Sequence, residues 1–158
     1  MDKEYFIGLD LSMTGTGMII IDNNLNIINQ ELISSSPSDG SNEKRIIKLK
    51  NNIFSFLPED LKMINKIGIE GISYGSKGRS IAEMSALNYF IRISCLENNL
   101  SYMEIPPTTL KKFITGKGNS PKDLMLLKTY KKFGVEFDNN NLCDAYCLAR
   151  FVLEESKK

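Results

Sequence analysis

Tyr5-Phe6-Ile7-Gly8-Leu9-Asp10-Leu11, near the start of a 158-residue chain, is apolar except for a single acid. A continuous apolar run of this length reads as a central strand covered on both faces. Gly15 and Gly17 fall in the turn that follows, Met18-Ile19-Ile20-Ile21 reads as a second strand, and Asp22-Asn23-Asn24 is a turn signal. Residues 25–33 then make a third strand. Connections this short cannot form crossovers, so the three strands are expected to run as an antiparallel meander.

Downstream the pattern changes. Residues 34–42 are rich in Ser, Pro, Asp and Gly and read as a loop. Ile46, Ile47, Leu49, Ile53, Phe54 and Leu57 then recur at helical spacing up to Pro58. Residues 64–70 form a fourth strand that ends on Glu70, and 71–79 form a loop with three glycines. Residues 80–97 form a long helix, with Ser80 as its N-cap and Glu83 completing a capping box. Its apolar residues cover more than one face, so it is either buried throughout or carries a dimer contact. A short fifth strand at 103–105 stops at Pro106-Pro107. Helices follow at 108–114, from Pro121 (placed as the first helical residue) to about 133, and at 142–155. The order β-β-β-α-β-α-β-α-α describes one α/β domain over 1–158. Its expected core is a mixed five-stranded sheet, three antiparallel strands then two parallel ones, with helices on both faces.

Composition narrows the chemistry. There are 20 Lys+Arg against 19 Asp+Glu, and no His. That excludes Ser-His-Asp and Cys-His nucleophile systems and His-ligated zinc. Cys95, Cys143 and Cys147 are odd in number and make no C-x-x-C pair, so they read as small apolar residues. The opening Met1-Asp2-Lys3-Glu4-Tyr5 lacks the pattern of a secretory signal, and no apolar run approaches the ~18 residues of a membrane span. A soluble cytoplasmic protein is expected.

Asp10 and Glu70 each end a strand that is otherwise apolar, where a lone carboxylate costs several kcal/mol unless it is paired or binds a cation. Neither strand carries a nearby basic residue on the same face. In an open α/β sheet, ligand sites form at the carboxyl ends of parallel strands. Asp144 is the third candidate, at the start of the last helix. It either joins the other two or sits in the first turn as a dipole-favoured residue, with Asn141 as N-cap. Three converging carboxylates without His suit a hard divalent cation such as Mg²⁺ or Mn²⁺. Two such ions about 4 Å apart can activate water and stabilise the leaving oxygen of a phosphodiester.

The net +1 conceals a segregation. Residues 106–132 hold Lys111, Lys112, Lys117, Lys122, Lys128, Lys131 and Lys132 against Asp123 alone, a local +6 that leaves −5 elsewhere. This stretch is either a solvated face or a phosphate-binding one. Within it, Thr115-Gly116-Lys117-Gly118-Asn119-Ser120 offers hydroxyls, backbone N–H groups and the start of a helix to phosphate oxygens. Tyr74, flanked by Lys77 and Arg79 in the loop after Glu70, either stacks on an unpaired base or folds onto the neighbouring helix.

Gly8-Leu9-Asp10-Leu11-Ser12-Met13-Thr14-Gly15-Thr16-Gly17, Ile69-Glu70-Gly71, the segment from Pro107 through Lys111 to Gly118, and Asp144-Ala145-Tyr146-Cys147-Leu148-Ala149 together resemble RuvC-type Holliday junction resolvases, especially short phage-encoded members. The resemblance implies an RNase H-like fold, a homodimer joined through helix 80–97, and nicking of four-way junctions and other branched DNA with two Mg²⁺ ions, for which Mn²⁺ can substitute. It assigns Asp10, Glu70 and Asp144 to metal and catalysis, and Lys111 and Lys122 to phosphate near the reacting bond. Ser12, Tyr74, Lys77, Arg79, Lys112, Thr115, Gly116 and Lys117 fall to DNA contact. A phage-encoded member would act in the bacterial host cytoplasm. The family's fourth acid is replaced by Asn141, whose carbonyl ligates without charge; Asp138 is the other candidate for that place. A junction binder with impaired cleavage, and an RNase H-like nuclease acting on other nucleic acids, are the rival readings.

Overall fold

Strand β1 (Tyr5–Asp10) lies at the centre of a five-stranded sheet of order β3-β2-β1-β4-β5. The computed structural model describes residues 2–73 and 79–158, with side chains at 2–73 and 81–158. β2 (Thr16–Asp22) and β3 (Ile27–Ile33) extend the sheet antiparallel from β1, while β4 (Ile64–Glu70) and β5 (Tyr102–Ile105) extend it parallel on the other side. The expected mixed sheet and its strand sense are borne out.

Side chains along β1 alternate between two layers. Ile7 and Leu9 join a core formed with α1 (Asn42–Ser55) and α2 (Arg79–Glu97), including Leu49, Ile53, Leu87 and Ile91. Phe6 joins the opposite core, built from α3 (Pro107–Thr115), α4 (Lys122–Phe133) and α5 (Asn140–Ser156). Each buried aliphatic side chain in these layers contributes roughly 1.5–3 kcal/mol of transfer free energy. By the same alternation Gly8 and Asp10 face α5, as do Gly68 and Glu70 on β4, whose Ile67 and Ile69 belong to the first core.

The glycines decide how close α5 comes. A methyl group built on Gly8 would stand 1.8 Å from the Ala145 carbonyl oxygen, and one on Gly17 would stand 2.2 Å from that of Asn141. Gly8 pairs with Gly68 across the β1–β4 ladder, so the helix backbone rests directly on the sheet.

Boundaries moved where side chains intervene. β3 starts at Ile27, not at 25, because the Asp22 carboxylate accepts the Asn24 and Asn26 N–H groups and leaves Leu25 at φ 70°. Pro121 is the N-cap of α4 with extended ψ, so Lys122 is the first helical residue. α5 is capped by Asn139, whose side chain accepts from Leu142 N; Asn141 is therefore inside the helix, not its cap. α2 begins at Arg79, one residue before the expected cap Ser80, whose side chain lies outside the described residues, and the Glu83 carboxylate accepts from Asn42. Among the described residues, no helix is long and apolar enough to cross a membrane.

Candidate metal centre

β1 and β4 run parallel and in register through Leu9 and Ile69, so Asp10 and Glu70 emerge side by side at the carboxyl end of the sheet. α5 supplies the third acid. Residues 141, 145 and 148 lie over Gly17, Gly8 and Gly68, and Asp144 sits on the same helical face. It is the fifth residue of α5, beyond the first turn, so it is no helix-dipole residue there. Carboxylate oxygens of Asp10, Glu70 and Asp144 all lie within 4.8 Å of one another. Among the described residues they are the one group of acids and cysteines gathered tightly enough to share a cation. All three line a cleft of about 350 Å³.

The electrostatics follow from this crowding. Burial, with the negative charges of Glu70 and Asp144 beside it, pushes Asp10 up to about 9. Asp144 is raised to about 7, first by burial and then by Glu70. Glu70 is raised by burial, against the opposing effects of its hydrogen bond with Asp10 and of Lys122 and Lys111. Like charges held this close share protons unless a cation replaces them. Three hard oxygen donors in an open cleft fit a divalent ion of the Mg²⁺ or Mn²⁺ type. The donor set therefore fits the cation that the resemblance implies.

Lys122 lines the same cleft, and its position as first residue of α4 brings it there. Asn141 also lines it; its Nδ2 donates to the Gly15 carbonyl at 2.9 Å, which fixes which way round the amide sits. Ser12 borders the cleft, but its hydroxyl accepts from the Thr14 and Gly15 N–H groups and so builds the β1–β2 turn. That turn is tied to α1 by Arg45, whose Nη2 donates to the Met13 carbonyl at 3.3 Å and whose Nε donates to Ser35 at 3.0 Å.

The α3–α4 turn offers phosphate less than its sequence suggests. Thr115 Oγ1 bonds to Ser120 Oγ and the Lys111 carbonyl and accepts from Lys117 N, while Gly116 N donates to the Lys112 carbonyl. These hydroxyl and N–H groups are spent within the turn, where Gly116 takes φ 84°. Lys112 lines a different groove, with Phe113, Phe133 and Phe151, and not the acid cleft. Tyr74, Lys77 and the side chain of Arg79 lie outside the described residues. Asp138 does not line the cleft.

One polar residue of the cleft had drawn no notice in the sequence. Asn88 is 1% exposed, borders the cleft from α2 and donates to the Glu70 carbonyl at 3.2 Å. Its only sequence signal is a buried-type position, between Leu87 and Tyr89-Phe90, occupied by an amide.

No family model matches the chain. Crossover junction endodeoxyribonuclease RuvC of Anaplasma marginale, from strains Florida and St. Maries, is 27% identical over 150 residues, covering 90% of this chain and 89% of each relative. A solved structure of Thermus thermophilus RuvC superposes with a TM-score of 0.75 at 14% identity, over 97% of this chain and 96% of that one. T. thermophilus RuvC in complex with a Holliday junction substrate gives 0.70 at 13% identity, with 98% and 96% covered. Relative and solved structures span nearly the whole chain, and both carry the same family name. In sequence and in fold this chain resembles the RuvC-type Holliday junction resolvases, and its sheet and helices form an RNase H-like fold.

Proposed function

We propose that this chain is a divalent-metal-dependent, structure-selective DNA endonuclease that nicks four-way junctions and other branched DNA. The convergence of Asp10, Glu70 and Asp144 at the carboxyl end of β1 and β4, with Lys122 beside them, carries the reading. Its wider support is likeness over almost the whole chain to proteins named for that activity.

Asp10, Glu70 and Asp144 hold the cations, preferably two Mg²⁺ or Mn²⁺ ions, with Asn141 Oδ1 as a neutral fourth ligand. Such ions supply Lewis acidity at the phosphodiester. Lys111 and Lys122 hold phosphate oxygens next to the carboxylates and keep Glu70 and Asp144 more easily ionised. α2 provides the dimer contact: Leu87, Ile91 and Cys95 are buried on one side, while Tyr89, Ile93 and Leu96 are 53%, 52% and 63% exposed on the other. A dimer would bring two clefts to one junction, in the cytoplasm where branched DNA arises, within a bacterial host for a phage-encoded member.

Incubating the protein with a labelled four-way junction in Mg²⁺ or Mn²⁺ tests the reading. Paired nicks are expected, and sedimentation should give about twice the monomer mass. Retarded but uncut junction in both metals would leave a binding protein; preferential cutting of a linear RNA–DNA hybrid would move the activity to another RNase H-like class.

Phosphate contact can be tested separately. Lys111→Ala with Lys117→Ala should weaken junction binding and reduce the slope of log affinity against log salt by about 2. An unchanged slope would remove these lysines from the DNA face.

A further inference from the structure

We infer that Asn88 is a positioning residue for Glu70, and that Arg92 and Glu104 set its orientation. The inference rests on the acid cluster being the cation site. It adds a support that comes from α2 and β5 and not from the strands that carry the acids.

Glu70 is the last residue of β4, where strand hydrogen bonding ceases to hold the chain. Two bonds extend that hold. Gly71 N donates to the Ile105 carbonyl at 2.8 Å, and Asn88 Nδ2 donates to the Glu70 carbonyl at 3.2 Å. Together they hold the single peptide plane that joins Glu70 to Gly71 from its two opposite edges. The Glu70 side chain therefore leaves the sheet in strand geometry, on the α5 face with Asp10. Without the amide, the Glu70 carbonyl loses its side-chain donor and the peptide is held at one edge only, by the Gly71–Ile105 bond.

An amide can bind either way round, and Arg92 settles which. Arg92 Nη1 donates to Asn88 Oδ1 at 3.4 Å, so Nδ2 is the atom presented to Glu70. The guanidinium is placed in turn by a salt bridge to Glu104 at 3.3 Å and by the rings of Tyr89 and Tyr102, at 4.6 and 5.8 Å. Glu104 itself packs against Gly71, where a methyl would meet its carboxylate at 3.0 Å. The relay Glu104–Arg92–Asn88 thus begins and ends at the same two residues of the β4 exit. A buried Asn with both ends engaged has no freedom to act as a mere filler.

Mn²⁺ binding, followed by calorimetry on the full chain, tests the relay without relying on cleavage. Asn88→Ala should weaken Mn²⁺ binding at least threefold and lower junction cleavage about tenfold at saturating DNA, with metal-free junction affinity unchanged within twofold. Glu104→Gln, at a side chain 34% exposed, should weaken Mn²⁺ binding in the same direction by a smaller factor. A purely structural role would reduce the folded fraction, hence the number of sites, and leave the Mn²⁺ dissociation constant of those sites unchanged. Wild-type Mn²⁺ affinity in both variants would overturn the inference. If Asn88→Ala does not fold, Glu104→Gln decides alone. Absence of Mn²⁺ binding by the wild-type chain would instead overturn the cation site, a separate result.

Discussion

Asp10→Asn is expected to reduce junction cleavage at least about 10³-fold while leaving metal-free junction affinity within a few-fold. Asp10 stands between Glu70 and Asp144 as the acid that both of their charges raise. Replacing it removes charge and a ligand from the centre of the site, an effect of several kcal/mol at about 1.4 kcal/mol per tenfold in rate. On the proposed reading the lysines hold the phosphates, so junction binding is expected to be little affected. The same substitution has a second, opposite consequence. In the metal-free folded protein Asp10 keeps its proton up to about pH 9, whereas in the unfolded chain it loses it near pH 4. The folded state then binds more protons than the unfolded one. Stability is fully present below about pH 4 and declines as the pH climbs towards 9, by up to about 1.4 kcal/mol per pH unit for one proton. Asp144, raised to about 7, adds to the decline below neutrality. Thermal midpoints in chelator should therefore fall between pH 5 and pH 8 for the wild type and much less for Asp10→Asn. Saturating Mn²⁺ should restore the wild type at pH 8, because it binds the folded state alone. Retained cutting by the variant, or a flat wild-type profile, would remove Asp10 from the centre.

Gly8→Ala should destabilise the protein by about 3 kcal/mol or more, a large share of the usual 5–15 kcal/mol. The added methyl would stand 1.8 Å from the Ala145 carbonyl oxygen and 2.7 Å from Ala149 N. Both are helix backbone atoms, so no rotamer change relieves the clash and α5 must lift from the sheet. Lifting α5 also withdraws Asp144 from Asp10 and Glu70. A chain of this length should lose roughly 10 °C in thermal midpoint, and Mn²⁺ binding should weaken in whatever fraction remains folded. Gly15→Ala is the contrast: its methyl would meet only the Asn141 side-chain nitrogen at 3.4 Å, ordinary contact distance. Equal losses in the two variants would show that the close approach of α5 is not what Gly8 provides.

Much of this organisation is legible without coordinates. The apolar runs around Asp10 and Glu70, the short links between the first three strands and the helical periods after residue 42 specify the mixed sheet, because burial pattern and connection length are local properties. Asp10 and Glu70 stood out since an acid ending a buried strand needs a compensating partner. Asn88 did not, because an amide within an apolar helix has many explanations until its two partners are seen. Lys112 and Lys111 are adjacent in sequence, yet Lys112 lines the separate aromatic groove while Lys111 is near enough to Glu70 and Asp144 to favour their charged forms, since neighbouring helical residues diverge by about 100°. Thr115 and Gly116 looked available to phosphate, but the turn consumes their bonding groups.

The sequence by itself determined the mixed sheet with its strand senses, the two acids that end buried strands and the basic segment, each written in contiguous residues whose pattern is local. Tertiary structure alone decided that Asp144 reaches the other two acids, that Asn141 faces the β1–β2 turn, and that α2 and β5 brace Glu70. The first two depend on how closely α5 settles onto Gly8, Gly17 and Gly68. A glycine in a strand records only a missing side chain; what occupies the space becomes known when the helix is in place.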